Sequence, residues 1–81
     1  MKAEKRVIRA RWSEIGYRSF QYIEEGTGRI IGSVDGEYQS WAAHQNMNPS
    51  LWVHLGSFQT EHAAKQAVIE ACAALAKRRK P

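Results

Sequence analysis

The stretch from residue 41 to 68 constrains the fold more than any other part of the chain. An apolar run ends at Leu55-Gly56, an aromatic residue follows at Phe58, and Thr60-Glu61 then opens an alanine-rich stretch. Threonine is a preferred helix N-cap, and a glutamate beside it interacts favourably with the positive end of the helix dipole. The pattern predicts a strand and a turn, followed by a helix from Thr60 to about Lys77.

This predicted helix has a stripe of mostly small apolar residues. Its members are Ala64, Ala67, Val68, Ala71, Cys72 and Leu75. Small side chains at helical spacing let the helix axis approach a sheet closely and leave room for sheet aromatics such as Trp41 and Phe58. Ile69 lies off the stripe, and we expect it to contact the N-terminal strand or a partner.

Alternation of apolar and polar residues predicts strands over residues 5–12, 17–24, 29–34, 37–45 and 50–55, with Phe20 and Tyr22 pointing inward. We expect turns at residues 13–16, 25–28 and 46–49 and at Asp35-Gly36, a strong signal for a type I′ hairpin. The predicted fold class is α+β, an antiparallel β-meander of four to five strands with one C-terminal helix packed on one face.

The length and composition favour a small globular domain. The 81 residues suffice for one domain, which we place at 1–81 with a basic tail at 77–81. Cys72 is the single cysteine, so no internal disulfide can form, and a reducing compartment fits. No apolar run approaches the ~20 residues of a membrane span, and no signal-peptide core is evident. We expect a cytoplasmic protein with no membrane partner.

Charge is distributed unevenly along the chain. Residues 1–18 hold six cations and two anions, residues 19–76 hold two cations and six anions, and residues 77–80 are four cations. Basic segments suit phosphate backbones, because each neutralised phosphate releases counterions. The tail residues Lys77, Arg78, Arg79 and Lys80 are therefore candidate phosphate contacts. The alternative is a solvated tail that favours the helix C-terminus through the dipole.

The first predicted strand carries a second group of cations. Its candidate phosphate contacts are Lys5, Arg6, Arg9 and Arg11. Alternation places all of these except Arg6 on an outer face, while Arg6 shares the other face with Trp12. The alternative is a charged edge strand that blocks edge-to-edge aggregation.

The fifth predicted strand places Leu51, Val53 and Leu55 on one face and Trp52 and His54 on the other. An exposed tryptophan beside a polar neighbour is typical of binding hot spots and base-stacking sites. The alternative is that a further strand or a second copy of the protein covers Trp52.

Other polar residues give weaker signals. Asn46 can hydrogen-bond adenine, although amides beside a loop usually stabilise the turn. His44, His54, His62 and Cys72 lack the spacing of a metal site, so we expect no metal. No nucleophile has a matching base and orienting acid, and no phosphate-binding loop is present. We therefore expect a non-enzymatic protein without a cofactor.

Several segments together resemble the AP2-type DNA-binding domain, whose related modules occur in phage integrases and beside homing endonucleases. They are Gly32-Ser33-Val34, Trp41-Ala42-Ala43, the run from Val53 to Phe58, Thr60-Glu61 and Ala63-Ala64. The match covers roughly residues 30–75. The resemblance implies a three-stranded sheet that lies in the DNA major groove with the helix packed behind it.

In that family, arginines and tryptophans at outward strand positions contact bases and phosphates. The corresponding positions here are Ser33, Asp35, Ala42, His44, Asn46, Trp52 and His54, and none is an arginine. Arginine is the commonest specific reader of guanine, so we expect weak sequence specificity, with cations supplied by the first strand and the tail.

The leading functional prediction is binding of nucleic acid, most of all double-stranded DNA, through the open sheet face and the basic ends. His44, Asn46, Trp52 and His54 would face bases or sugars. The alternative is a protein-binding adaptor or inhibitor of the phage type that uses the face around Trp52. A homodimer with paired sheets is a third hypothesis.

Overall fold

A computed structural model describes residues 9–48 and 50–78, and the side chains of 9–48 and 50–76. It contains β1 (Ala10–Gly16), β2 (Ser19–Glu24), β3 (Ile30–Glu37), β4 (Ser40–Asn48), β5 (Leu51–Phe58) and α1 (Glu61–Arg78). The strands form one antiparallel sheet in the order β1-β2-β3-β4-β5, and α1 packs on β3, β4 and β5. The predicted α+β meander with one C-terminal helix is confirmed.

The core lies between α1 and one side of the sheet, which we call the helix face. Its buried residues are Tyr22, Val34, Ala43, Ala64, Val68 and Cys72. Trp12 stacks on Tyr22 with ring centroids 4.6 Å apart, so the aromatic residues of β1 and β2 extend the core beyond the helix. The inward orientation predicted for Phe20 and Tyr22 is confirmed by their positions opposite Val34 and Gly32.

Gly32 sets how closely α1 approaches the sheet. A Cβ atom at this position would overlap with Cγ1 of Val68 and would lie 3.3 Å from the His44 carbonyl oxygen. Val68 is fully buried and has a stiff, β-branched side chain, so it has little freedom to move aside. Glycine is therefore required here by the close approach of the helix.

The helix begins and ends close to the predicted positions. The Thr60 hydroxyl accepts a hydrogen bond from the Ala63 N–H at 3.0 Å, which confirms the N-cap. Of the predicted stripe, Ala64, Val68 and Cys72 are buried. Ile69 is half-buried and packs against the core cluster.

The first predicted turn, at residues 13–16, is wrong. β1 continues to Gly16, and the chain reverses at Tyr17-Arg18 instead. Arg18 has a φ of 54°, an uncommon conformation for a residue other than glycine. Residues 5–8 of the predicted first strand lie outside the described part of the chain.

The predicted hairpin turn at Asp35-Gly36 is also wrong, because β3 continues to Glu37 and the turn is at Tyr38-Gln39. Gly36 pairs with Trp41 and donates its N–H to the Arg18 carbonyl at 2.7 Å. The Arg18 side chain crosses Gly36, where a Cβ would overlap with its Nε, and its guanidinium lies 4.6 Å from the centre of the Trp41 ring. The glycine thus makes room for a cation–π contact instead of a turn.

The loop predicted at residues 46–49 is shorter in the structure. β4 runs to Asn48, and the Asn48 side-chain oxygen accepts a hydrogen bond from the Ser50 N–H at 3.0 Å. This side chain stabilises the tight connection to β5. β5 also runs further than predicted, to Phe58.

A β-bulge in β5 determines which residues face the helix. Ala43 pairs with Gly56 and His44 with His54, so Leu55 has no partner of its own. Gly56 has a φ of 141°, a conformation that favours glycine. The extra residue breaks the alternation, so that Leu55 and Phe58 both pack against the core while His54 points to the opposite side.

Within the described residues, α1 lacks the combination of length and apolar character needed to cross a membrane.

We expect Gly32→Ala to lower the free energy of unfolding by about 1–3 kcal/mol, because the added methyl group overpacks the contact with Val68. Urea denaturation measures this change. Gly16→Ala is the matched control: its Cβ would meet only the Ser19 Cβ at 4.0 Å, so stability should change by less than about 0.5 kcal/mol. Equal effects of the two substitutions would contradict the close-contact argument.

Candidate interaction face

The sheet surface opposite the helix, which we call the open face, carries a row of hydrogen-bonding side chains. The register pairs neighbouring members on adjacent strands, and the row consists of Ser13, Gln21, Ser33, His44 and His54. With strands ~4.8 Å apart, four steps make the row about 19 Å wide. The row contains no aspartate, glutamate, lysine or arginine. Its side chains are small or planar, so a ligand can approach the sheet closely.

Large apolar side chains flank this row. Trp52 is 44% exposed and Ile15 is 55% exposed. Both line a shallow groove of about 330 Å³, together with Ser19, Phe20, Gln21, Ser33, Asp35 and His44. An exposed tryptophan offers a flat surface for stacking. The predicted exposure of Trp52 and His54 away from the helix is thus confirmed.

The two histidines of the row contact each other. Their ring centroids are 4.9 Å apart with an angle of 48° between the planes. His54 is exposed and His44 half-buried. Sequence spacing could not reveal this pair, because it depends on the register of β4 against β5.

Asn46 lies apart from these residues, although the register places it opposite Trp52. Its side-chain amide donates to the Ile30 carbonyl at 2.9 Å, and its Oδ1 is buried without a hydrogen-bond partner. It lines a separate cavity of about 100 Å³ near Cys72 and Leu75. The structure therefore brings together three of the four predicted face residues, and Asn46 has a mainly structural contact.

Two of the predicted cations lie in the described part of the chain, and both are exposed. Arg11 pairs with Ile23 on the edge strand β1, and its register places it on the open face. Arg9 precedes the strand, and its carbonyl accepts a hydrogen bond from the Glu25 N–H at 2.8 Å. Lys5, Arg6, Arg79 and Lys80 lie outside the described residues, as do the side chains of Lys77 and Arg78.

Arg18 and Lys65 have partners on the helix face. Lys65 forms an ion pair with Glu61 at 2.6 Å, and its Nζ lies 3.9 Å from the centre of the Phe20 ring. Arg18 stacks on Trp41. Arg29 lines the separate cavity near Cys72. Among the described cations within strands, Arg11 is therefore the one that the register places on the open face.

The carboxylate of Asp35, on the open face, has a hydrogen-bond donor within the protein. Ser19 donates its hydroxyl to the Asp35 carboxylate at 2.7 Å. Neutral polar and aromatic groups therefore dominate the middle of the face, with Arg11 at one edge and Trp52 at the other.

Cys72 has the environment of a structural thiol. It is 4% exposed, and its Sγ donates to the Ile31 carbonyl at 3.6 Å. Burial, and to a smaller extent the charge of Glu24, raises the pKa of the thiol to about 11. A thiol that stays protonated is a poor nucleophile and a poor metal ligand. In the described residues, no group of three or more His, Cys, Asp or Glu side chains is placed to hold a metal ion.

Sequence reasoning missed Ile15, Ser13, Gln21 and the role of Ser33 in the row. The alternation of β1 continues to Gly16, and this is the signal that could have found Ser13 and Ile15. The contribution of Gln21 and Ser33 depends on the register of β2 against β3.

Comparisons with protein-family models, with curated proteins and with solved structures gave no match. The resemblance to the AP2-type domain therefore stays a prediction.

The raised pKa of Cys72 predicts a loss of stability at alkaline pH. The native state holds the proton between the ordinary pKa of 9.0 and about 11, so the unfolded state releases it first as pH rises. The free energy of unfolding should fall in this interval by up to about 1.4 kcal/mol per pH unit. Burial also raises the pKa of Tyr22, so this residue adds to the loss of stability at the upper end of the pH interval.

Urea denaturation at a series of pH values measures this dependence. Cys72→Ala should be less stable at neutral pH because the smaller side chain leaves the core less well packed, but its stability should fall less steeply above pH 9. Parallel curves for the two proteins would show that Cys72 is not responsible.

Proposed function

We propose that the open face binds nucleic acid, with double-stranded DNA as the main target and the basic ends contacting phosphates. The observation that supports this best is the row of hydrogen-bonding side chains beside an exposed Trp52, on the face opposite the helix. Base edges present donors and acceptors that such side chains can bind, and aromatic side chains stack on bases.

The width of the face limits how it can engage a duplex. The major groove of B-DNA is about 12 Å wide and admits a helix or a two-stranded ribbon, whereas the whole row measures about 19 Å. Only part of the sheet can therefore enter the groove. The β4–β5 ribbon is the best candidate, because it carries His44, His54 and Trp52 and is supported from behind by α1.

Cations would then contact phosphates on either side of the ribbon. Arg11, on the distant edge strand β1, would contact a flanking phosphate, and the terminal segments carry most of the remaining positive charge. Phosphate contacts position a protein without reading sequence. The scarcity of arginine on the open face therefore favours binding of weak sequence specificity.

A protein partner is the second candidate function. It is supported by Ile15 and Trp52, two exposed apolar side chains that line the same groove. Exposed apolar groups in a groove are common where proteins meet, and tryptophan is enriched among binding hot spots. This binding would depend little on salt.

Fluorescence anisotropy with a labelled random duplex and a single strand of the same length tests the first proposal. Trp52→Ala should weaken binding of the single strand by about 1–3 kcal/mol, or roughly 5- to 150-fold, because an unpaired base can stack on the ring. It should weaken duplex binding less, because paired bases are already stacked on their neighbours. Tyr38→Ala is the matched control, since Tyr38 is 89% exposed at a hairpin turn outside the row, and its affinity should stay unchanged.

Salt dependence separates the contributions of the face and the tail. Replacement of Lys77, Arg78, Arg79 and Lys80 by glutamine should reduce the slope of log K against log salt by about 0.9 for each phosphate that the tail no longer neutralises. Trp52→Ala should leave that slope nearly unchanged. Absence of binding to either probe at low salt would refute the proposal. Tighter binding of the single strand than of the duplex would identify single-stranded nucleic acid as the target.

A further inference from the structure

We propose that His44 and His54 form a two-histidine site for a divalent transition-metal ion, with Cu²⁺, Ni²⁺ and Zn²⁺ as the ions it would take. The two residues are direct partners across β4 and β5, and their rings lie side by side on the open face, tilted at 48° with 4.9 Å between centroids. Imidazole nitrogen is a preferred ligand of all three ions.

The geometry of the pair suits one shared ion. Zn–N bonds are about 2.0–2.1 Å, so two nitrogens in tetrahedral coordination lie roughly 3.3 Å apart. The nitrogens are at the ring edges, and rings inclined at 48° have one pair of edges closer together than their centroids. His54 is exposed, so its ring can rotate to complete the approach while β4 and β5 hold the two Cα atoms in place.

The surroundings do not oppose a cation at this position. Asp35 lines the same groove as His44 and brings a negative charge to that side. Among the described cations, Lys65 and Arg18 are engaged with aromatic rings on the helix face, and Arg11 lies on the far edge strand. Arg9 precedes that strand, and Arg29 lines the separate cavity near Cys72. Two protein ligands leave the other coordination positions to water, as in metal sites that stay open to a further ligand.

The linear sequence gives no sign of this site, because its ligands are ten residues apart and do not share a helix turn or a knuckle. They meet because the register of β4 against β5 pairs them directly, in the same run as Asn46 with Trp52. The site is independent of the proposed nucleic-acid binding, since it needs the two imidazoles and no other ligand.

Isothermal titration of the tag-free protein with CuCl₂, NiCl₂ and ZnCl₂ in a non-chelating buffer tests the proposal. We expect one ion per chain, with Cu²⁺ bound most tightly, as the general order of divalent affinities requires. The dissociation constant for Cu²⁺ should lie below about 100 μM, which corresponds to a modest binding energy. No saturable binding of any of the three ions up to about 1 mM would overturn the proposal.

Three glutamine variants locate the site. His44→Gln and His54→Gln should each weaken Cu²⁺ binding by more than about tenfold, because each removes one ligand of the pair. His62→Gln is the matched control, since His62 is exposed in the first turn of α1, and its affinity should remain within about twofold of the parent. Because His54 is exposed, its variant should fold even if His44→Gln does not.

Fluorescence gives a second, independent measurement. Bound Cu²⁺ quenches nearby tryptophans, and Trp52 lies two residues from His54 on the same face, whereas Trp12 and Trp41 lie on the helix face. Quenching should saturate with one ion and should be largely abolished in Trp52→Phe, although that variant still binds the ion by calorimetry. Equal weakening of binding in His62→Gln, or unchanged binding in His54→Gln, would refute the assignment.

Discussion

The close contact between α1 and β3 determines how the rest of the molecule is arranged. Val68 occupies the space that a side chain at position 32 would need, and the neighbouring core positions are mostly small, including Ala43 and Ala64. The helix therefore lies tightly over β3, β4 and β5, and together with the aromatic pair Trp12 and Tyr22 it forms the apolar core on one side of the sheet. The buried core cluster therefore lies on the helix face of the sheet.

The sequence is a good guide where one residue type has one main structural use. The capped helix after Thr60 and the inward aromatics of β2 follow from local patterns, and both are present. Turns are harder to predict, because glycine has more than one use. Gly36 has the sequence context of a turn residue, whereas the structure uses its missing side chain to let Arg18 reach Trp41. That contact joins residues far apart in the chain, so no local pattern contains it.

The same distinction applies to the open face. Outward exposure of Trp52 follows from alternation within a single strand, which the sequence displays. The neighbours of each side chain depend on how strands are aligned, and a shift by one residue changes every pair. For this reason the row that connects Ser13 to His54, and the contact between His44 and His54, emerge only from the observed register. Alternation alone also assigns Asn46 to the face, although its amide is held by Ile30.

The bulge at Leu55-Gly56 has a consequence for how the two sides of β5 can vary. His54 and Phe58 are four residues apart, so a regular strand would place both on one side. The single additional residue reverses the pleat between them. Deleting one residue there would bury the His54 imidazole or expose the Phe58 ring. The number of residues between His54 and Phe58 therefore determines which side of the sheet each one faces, and substitutions at either position depend on that number staying the same.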